Sequence, residues 1–226
     1  MSDANIALLD HSAGLISRTV QTPAGELVLS AWKTVYSPQH RALFVADVHL
    51  GKAHTFRQLG VPVPQGTTGS NLQRLSQAIA HFQPDTLVVL GDLLHSRHAL
   101  NDPLNEQVLA WAGEHKAVQK VLVRGNHDDK AGDPPLAWGF EVVDEPFALG
   151  QLALCHYPQS RAGQFVLAGH QHPACIIRGA GRSRVRLPCF HVQQGGITLP
   201  SFGQFTGAFV VQPAPGEHVV AVLATH

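Results

Sequence analysis

Three runs of branched apolar residues, each broken off by a polar cluster, constrain this chain most. They are "RALFVADVHL" (41–50), "DTLVVLGDLLH" (85–95) and "QKVLVRGNHDD" (119–129). Uninterrupted Val/Leu runs of this length, without alternation, fit central strands covered on both faces. Helical spacing lies between them. In "TTGSNLQRLSQAIAHF" (67–82), Leu72, Leu75, Ile79 and Phe82 fall on one face, with Thr or Ser available as N-cap. "DPLNEQVLAWAGEHK" (102–116) opens with Asp102 as cap and Pro103 at the first helical position, and carries a Leu104, Val108, Trp111 stripe. The first half therefore reads strand–helix–strand–helix–strand, a parallel sheet. In open sheets of this kind ligands bind beyond the carboxyl ends of the strands.

The second half reads differently. "FEVVDE", "LALCH", "QFVLAGH", "ACIIR", "VRLPCFHV", "GAFVVQ" and "HVVAVL" are strands joined by Gly/Pro turns, with no helical stretch between them. Two sheets packed face to face, with helices outside, is the economical architecture. No composition break, repeat or linker divides the chain, so one domain over residues 1–226 is expected.

Composition excludes several classes. Hydrophobic residues make up 44% and charged ones 14%, which supplies a core and rules out a disordered chain. No apolar run approaches the roughly 18 residues that span a bilayer. The stretch "MSDANIALLDHSAG", with an early acid and no basic region, is not expected to be a secretory signal. Cys155, Cys175 and Cys189 are few, odd in number and lack C-x-x-C spacing, which favours a reduced cytoplasm over a disulfide framework or zinc ribbon. Sixteen basic side chains balance sixteen acidic ones, so any contact with nucleic acid must come from a local patch. Histidine, with 15 residues, is the unusual count. It is the commonest metal ligand and the usual proton carrier at neutral pH.

The histidines gather at the strand ends. Asp47-x-His49 closes the first run, Gly91-Asp92 the second, and Gly125-Asn126-His127-Asp128 the third. His156 ends "LALCH", and His170-x-His172 ends "QFVLAGH". Each piece alone has an ordinary explanation: "RGNHDD" by itself reads as a polar turn, and a lone His as a satisfied core residue. Their ordered recurrence at five successive strand ends is not chance. Mixed nitrogen and oxygen ligands without thiolate suit Mn²⁺, Fe²⁺, Zn²⁺ or Mg²⁺. Seven ligands exceed what one ion with an open position needs, and suit two ions sharing a carboxylate. Two ions roughly 3.5–4 Å apart can polarise a phosphoryl group and generate hydroxide near neutral pH. His127 is then left over as a proton donor or oxyanion stabiliser.

D-x-H, G-D, G-N-H-D, a lone His and G-H-x-H, in that order, resemble the calcineurin-like metallophosphoesterase superfamily. The resemblance implies an α/β/β/α fold, a two-sheet sandwich flanked by helices with a dinuclear site at the strand ends. It implies that Asp47, His49, Asp92 and His172 hold one metal. Asp92 would bridge to a second, completed by Asn126, His156 and His170, with His127 catalytic. One position departs from the pattern: the acid that many superfamily phosphatases carry three residues after the bridging Asp is here His95. Asp128 or another group must then orient His127.

A narrower resemblance lies between the motifs. "LFVADVHLGKAHTFRQLGVPVPQGTT", "LVVLGDLLHSR" and "LPSFGQFTGAF" are similar to the ligase-associated DNA damage response endonucleases of bacteria. This implies a metal-dependent phosphodiesterase acting on DNA, single-stranded by preference, with Mn²⁺ as first choice. An ATP-dependent DNA ligase and a helicase-like repair protein are its implied partners. The residues add partial support. "RGAGRSRVR" (178–186) concentrates Arg178, Arg182, Arg184 and Arg186 shortly after the H-x-H ligands, and a hairpin of that kind can track a phosphate backbone. Arg57 and Arg97 follow metal motifs closely and are shaped to meet phosphate oxygens. Phe202 and Phe205 are read as core, with base stacking as the alternative. Competing functions are a phosphohydrolase of small or cyclic nucleotides and a non-catalytic docking scaffold.

Overall fold

The computed structural model describes residues 6–58, 60–63, 66–96, 100, 102–178 and 183–223. In chain order, the first strands are β1 (Ile6–Asp10), β2 (Ser17–Thr22), β3 (Gly25–Ser30), β4 (Val35–Ser37) and β5 (Ala42–Val45). Helices α1 (Lys52–Gln58) and α2 (Thr67–Phe82), β6 (Thr86–Leu90), α3 (Asp102–Glu114), β7 (Gln119–Val123), α4 (Asn126–Ala131) and β8 (Phe140–Val143) follow. The remainder is β9 (Phe147–Leu149), β10 (Leu152–Leu154), β11 (Phe165–Ala168), β12 (Pro173–Arg178), β13 (Arg184–Gln193), β14 (Gly196–Thr198), β15 (Phe209–Val210) and β16 (His218–Leu223).

These form two sheets. One runs β2-β3-β4-β5-β6-β7-β8, and the other β1-β16-β13-β14-β11-β10-β9 with β12 and β15 attached through β13. The parallel set β5-β6-β7-β8 holds the three apolar runs of the first half. "FEVVDE" belongs here, as β8, and not with the second-half strands. A strand needs only an apolar face toward each neighbouring layer, and that requirement is the same in either sheet.

The lack of alternation in the runs has a direct cause. Ala42, Phe44, Val88, Leu90, Val121 and Val123 point into the sandwich, against Leu152, Leu154, Leu167, Phe190, Ile197 and Val220 of the other sheet. The intervening Leu43, Val45, Leu87, Val89 and Leu122 meet Leu72, Leu75 and Ile79 of α2 and Leu104, Val108 and Trp111 of α3. Both faces are buried, so every position is apolar. The helix stripes thus face the core, while the N-cap of α2 is Gly66, with no side-chain cap in place of the expected Thr or Ser.

All three strand runs stop earlier than their sequences allow: β5 at Val45, β6 at Leu90 and β7 at Val123. The polar cluster in each case lies just beyond. "GNHDD" is not a turn; Asn126 and His127 open α4. On the second sheet, Cys175 and Val211 pack across the outer face onto Cys189, Val219 and Ala221. No described helix is long and apolar enough to cross a membrane.

Candidate metal centre

Parallel strands deliver their carboxyl ends to one edge, and the ligand candidates meet there. Asp47, His49 and His172 bring one ligand atom each within 4.8 Å of one another, as do Asp47, Asp92 and His156. His49 stands equally close to His95 and His127. The Asp92 oxygens divide between two sides: Oδ2 lies 3.7 Å from His49 Nε2, and Oδ1 3.6 Å from His156 Nε2. Asn126 Oδ1 and His170 Nδ1 are 3.0 and 3.1 Å from that same His156 nitrogen. All seven expected ligands and His127 are thus brought together.

Close approach is built into the glycines of the motifs. A Cβ on Gly91 would sit 2.1 Å from His156 Nδ1, and one on Gly125 would sit 2.5 Å from Asp92 Oδ1. Backbone conformation does the rest. Among the described residues nine non-glycine positions have positive φ, and five are Asp47, His49, Asp92, His170 and His172. Left-handed backbone costs an L-residue roughly 1–2 kcal/mol and clusters at functional sites. Here it turns each side chain back over the strand end.

Several of the histidines are tied from behind. Nδ1 of His156 donates to the Leu90 carbonyl (3.1 Å), and Nδ1 of His172 to that of Gly207 (3.2 Å). A carbonyl only accepts, so in the neutral ring Nε2 carries the lone pair and points inward. Those lone pairs meet other acceptors: Asn126 Oδ1 and Asp92 Oδ1 for His156, and Asp47 Oδ1 at 3.4 Å for His172. Asp47 Oδ1 and His49 Nδ1 are buried with no hydrogen-bond partner among the described residues. Acceptors converging on one another repel unless a cation lies between them, so the donor set fits divalent metal. Burial keeps His49 far below the usual imidazole range, helped by Lys52, His127 and His172, and neutral imidazole is the ligating form. Burial raises Asp92, a cost that a bound cation would offset.

His127 is oriented by a group the sequence did not suggest. Its Nδ1 donates to the backbone carbonyl of His95 at 2.8 Å, and the His95 ring stacks on it with centroids 5.2 Å apart. Asp128, the expected candidate, faces away. Its carboxylate accepts from the backbone N–H groups of Asp92 (2.7 Å), Gly125 (3.0 Å) and Leu94 (3.2 Å), and so pins two motif loops to each other. Burial lifts its carboxyl to about 6, against the pull of those N–H groups.

Arg57 and Arg184, the arginine candidates among the described residues, are not in this cluster. Arg57 lies in the last turn of α1 and borders a small cavity of about 110 Å³ with His54. Arg184 lies exposed on β13. Arg97 and Arg182 lie outside the described residues. Phe202 is fully buried and Phe205 is 43% exposed.

Comparison with known proteins agrees with this geometry. The calcineurin-like phosphoesterase family model matches residues 40–151. The crystal structure of Pseudomonas putida nuclease MPE is similar, with 41% identity, a TM-score of 0.80, and coverage of 90% of this chain and 95% of that one. Yfce, a phosphoesterase from E. coli, matches at 16% identity and a TM-score of 0.37 over 74% of this chain and 83% of that one. No curated protein sequence matches. With the strand-end ligands in place and a 41%-identical neighbour along nearly its whole length, this chain belongs to the calcineurin-like phosphoesterase family and is a metal-dependent phosphoesterase.

Proposed function

We propose that this chain is a dinuclear phosphodiesterase that cuts DNA, preferring single strands and Mn²⁺. The reading rests on one observation above all: the two oxygens of Asp92 face two different histidines, His49 and His156. In this assignment Asp92 would be shared between two ions: with Asp47, His49 and His172 it would hold one, and with Asn126, His156 and His170 the other. A pair of divalent ions there supplies charge neutralisation for the phosphoryl oxygens and a nucleophilic water near neutral pH. His127, with Nδ1–H committed to the His95 carbonyl, would act as general acid in its imidazolium form, giving the second ring proton, on Nε2, to the departing oxygen.

DNA is favoured over a small nucleotide by two features. The similar P. putida protein is named a nuclease. The β12–β13 ribbon sets Arg178 directly opposite Arg184 and Arg186 opposite Ile176, so three arginines share one exposed face. Like charges directly opposite each other destabilise a bare ribbon, and a phosphate backbone would relieve them. A cytoplasmic repair setting, with an ATP-dependent ligase and a helicase-like protein as partners, follows from the family resemblance.

The test is metal-reconstituted enzyme on single-stranded DNA, duplex DNA and a small chromogenic phosphodiester, beside His127→Ala. Single strands are expected to be cut fastest. His127→Ala should keep its metal while DNA turnover falls about 10²–10⁴-fold, the usual contribution of a general acid. Cleavage of small diesters with none of DNA would overturn the substrate assignment. Metal loss in step with activity would make His127 a ligand.

A further inference from the structure

Next to His172 lies a second cavity, of about 340 Å³, whose lining includes Lys33, Arg74, Arg186 and Phe205 and no acidic residue. A larger cavity of about 530 Å³, on the outer face of the second sheet, differs in kind: glutamines and Glu217 line it.

The cations of the smaller cavity are poorly placed for a structural role alone. Lys33, in the turn between β3 and β4, is 9% exposed, and its ammonium donates to the Ser201 carbonyl at 3.2 Å. Arg74, on α2, donates to the Phe202 carbonyl and to Asn71, and its guanidinium lies 4.1 Å from the Phe202 ring centroid. Its Nε is buried without a hydrogen-bond partner among the described residues. No carboxylate pairs with Lys33, Arg74 or Arg186 among the described residues. Burial and the Arg74 charge bring Lys33 down to about 7, and burial brings Arg74 to about 10. Desolvated cations without a counter-charge are costly, and a hydrophobic side chain would be cheaper.

The same segment reaches the metal centre. Ser201 Oγ donates to the Asp47 carbonyl at 3.0 Å, and the Gly203 N–H to that same carbonyl at 3.0 Å. Lys33 and Phe205 are also two of the four left-handed non-glycine residues outside the ligand set, so this cavity shares the strain of the edge it adjoins. Phe205 holds an exposed phenyl ring on its rim.

We propose that this cavity is a nucleotide subsite. It takes a phosphate of the substrate strand other than the one being hydrolysed, on Lys33, Arg74 and Arg186, with the adjoining base on Phe205. The proposal rests on the phosphodiesterase reading and extends it: the enzyme selects a strand with consecutive phosphates over an isolated phosphodiester. The ribbon face ending at Arg186 leads the strand in.

The experiment measures binding, so that it stands apart from catalysis. Metal-loaded His127→Ala protein is titrated into fluorescein-labelled single strands in which successive phosphates are replaced one at a time by neutral methylphosphonate. Neutralising one particular phosphate should weaken binding about tenfold, as expected when one charge-assisted hydrogen bond is removed. Arg74→Met in the same background should weaken it comparably and abolish the sensitivity at that phosphate. Arg186→Ala, on an exposed strand where folding is not at stake, should do the same in part. Phe205→Ala should give a smaller loss that salt does not change. The proposal is overturned if no single phosphate matters, or if both arginine variants lose affinity yet stay as sensitive at that phosphate as their parent. Failure of the wild-type enzyme to hydrolyse any phosphodiester would strike the catalytic reading instead, and the binding result would still decide this one.

Discussion

The strand-end edge and the β12–β13 ribbon are two polar regions of this protein that are organised by different means. At the edge, parallel strands, close-packed glycines and five left-handed residues position the candidate ligands, and Asp128 ties two of the loops together. On the ribbon, antiparallel register alone decides that Arg178, Arg184 and Arg186 share a face. The edge converges on points, whereas the ribbon presents a field. Metal ligation needs atoms placed within tenths of an ångström, and attraction of a polyanion needs only charge within a Debye length. Substitutions should therefore be all-or-none at the edge and graded along the ribbon.

The largest expected effect breaks the edge. Asp92→Asn removes the carboxylate that faces both His49 and His156. If Asp92 bridges two ions as proposed, both should be lost, with affinity reduced at least about 10²-fold and turnover falling with it. Elemental analysis of the purified variant decides the matter: two tightly held ions would show that Asp92 does not bridge, and that the edge tolerates change as the ribbon does.

Why one region is legible in the sequence and the other only in part follows from the same contrast. Asp47, His49, Asp92, Asn126, His156, His170 and His172 follow strands whose runs announce themselves, so position along the chain suffices. The helices at 67–82 and 102–116 are legible from their stripes. What the linear pattern cannot carry is what crosses between elements. Nothing in "RGNHDD" says that Asp128 turns toward Asp92 and Leu94, or that the backbone of His95 holds His127. Lys33 and Arg74 are 41 positions apart and line one cavity only because the fold brings α2 beside the β3–β4 turn. Strands β1 to β4 show no clear run, since much of β2 is exposed and β4 has three residues. "FEVVDE" reads as a second-half strand yet joins the first sheet, because parallel and antiparallel strands bury the same kinds of residue.

A graded effect should appear on the ribbon. Arg184→Ala with Arg186→Ala removes two charges from its exposed face. DNA cleavage at moderate salt should weaken, and the slope of log affinity against log salt should fall by roughly 1–2, about one for each phosphate no longer neutralised. The ratio of DNA cleavage to hydrolysis of a small phosphodiester should fall with it. If both substrates decline together, the ribbon supports the fold and the contrast with the edge is only one of burial.

The smallest effect concerns Lys33, which stands between the two regions. Its ordinary value is 10.5, and burial with Arg74 alongside lowers it to about 7 in the fold. Between those values the unfolded chain binds the extra proton and the native chain does not. Stability from this group is therefore full above about 10.5 and is lost as pH falls through about 7. Lys33→Met has no proton to take up, so its melting temperature should exceed that of wild type near neutral pH, by a few degrees, with the gap narrowing toward pH 9.5. Other titrating groups are common to both proteins and cancel in the difference. A lysine kept only to tether Ser201 predicts the opposite, because methionine leaves that carbonyl without its donor at every pH, and wild type would then be the more stable throughout. A variant that gains stability while binding single strands less tightly would show that the charge is retained against the interest of the fold, as expected of a residue held ready for an anion.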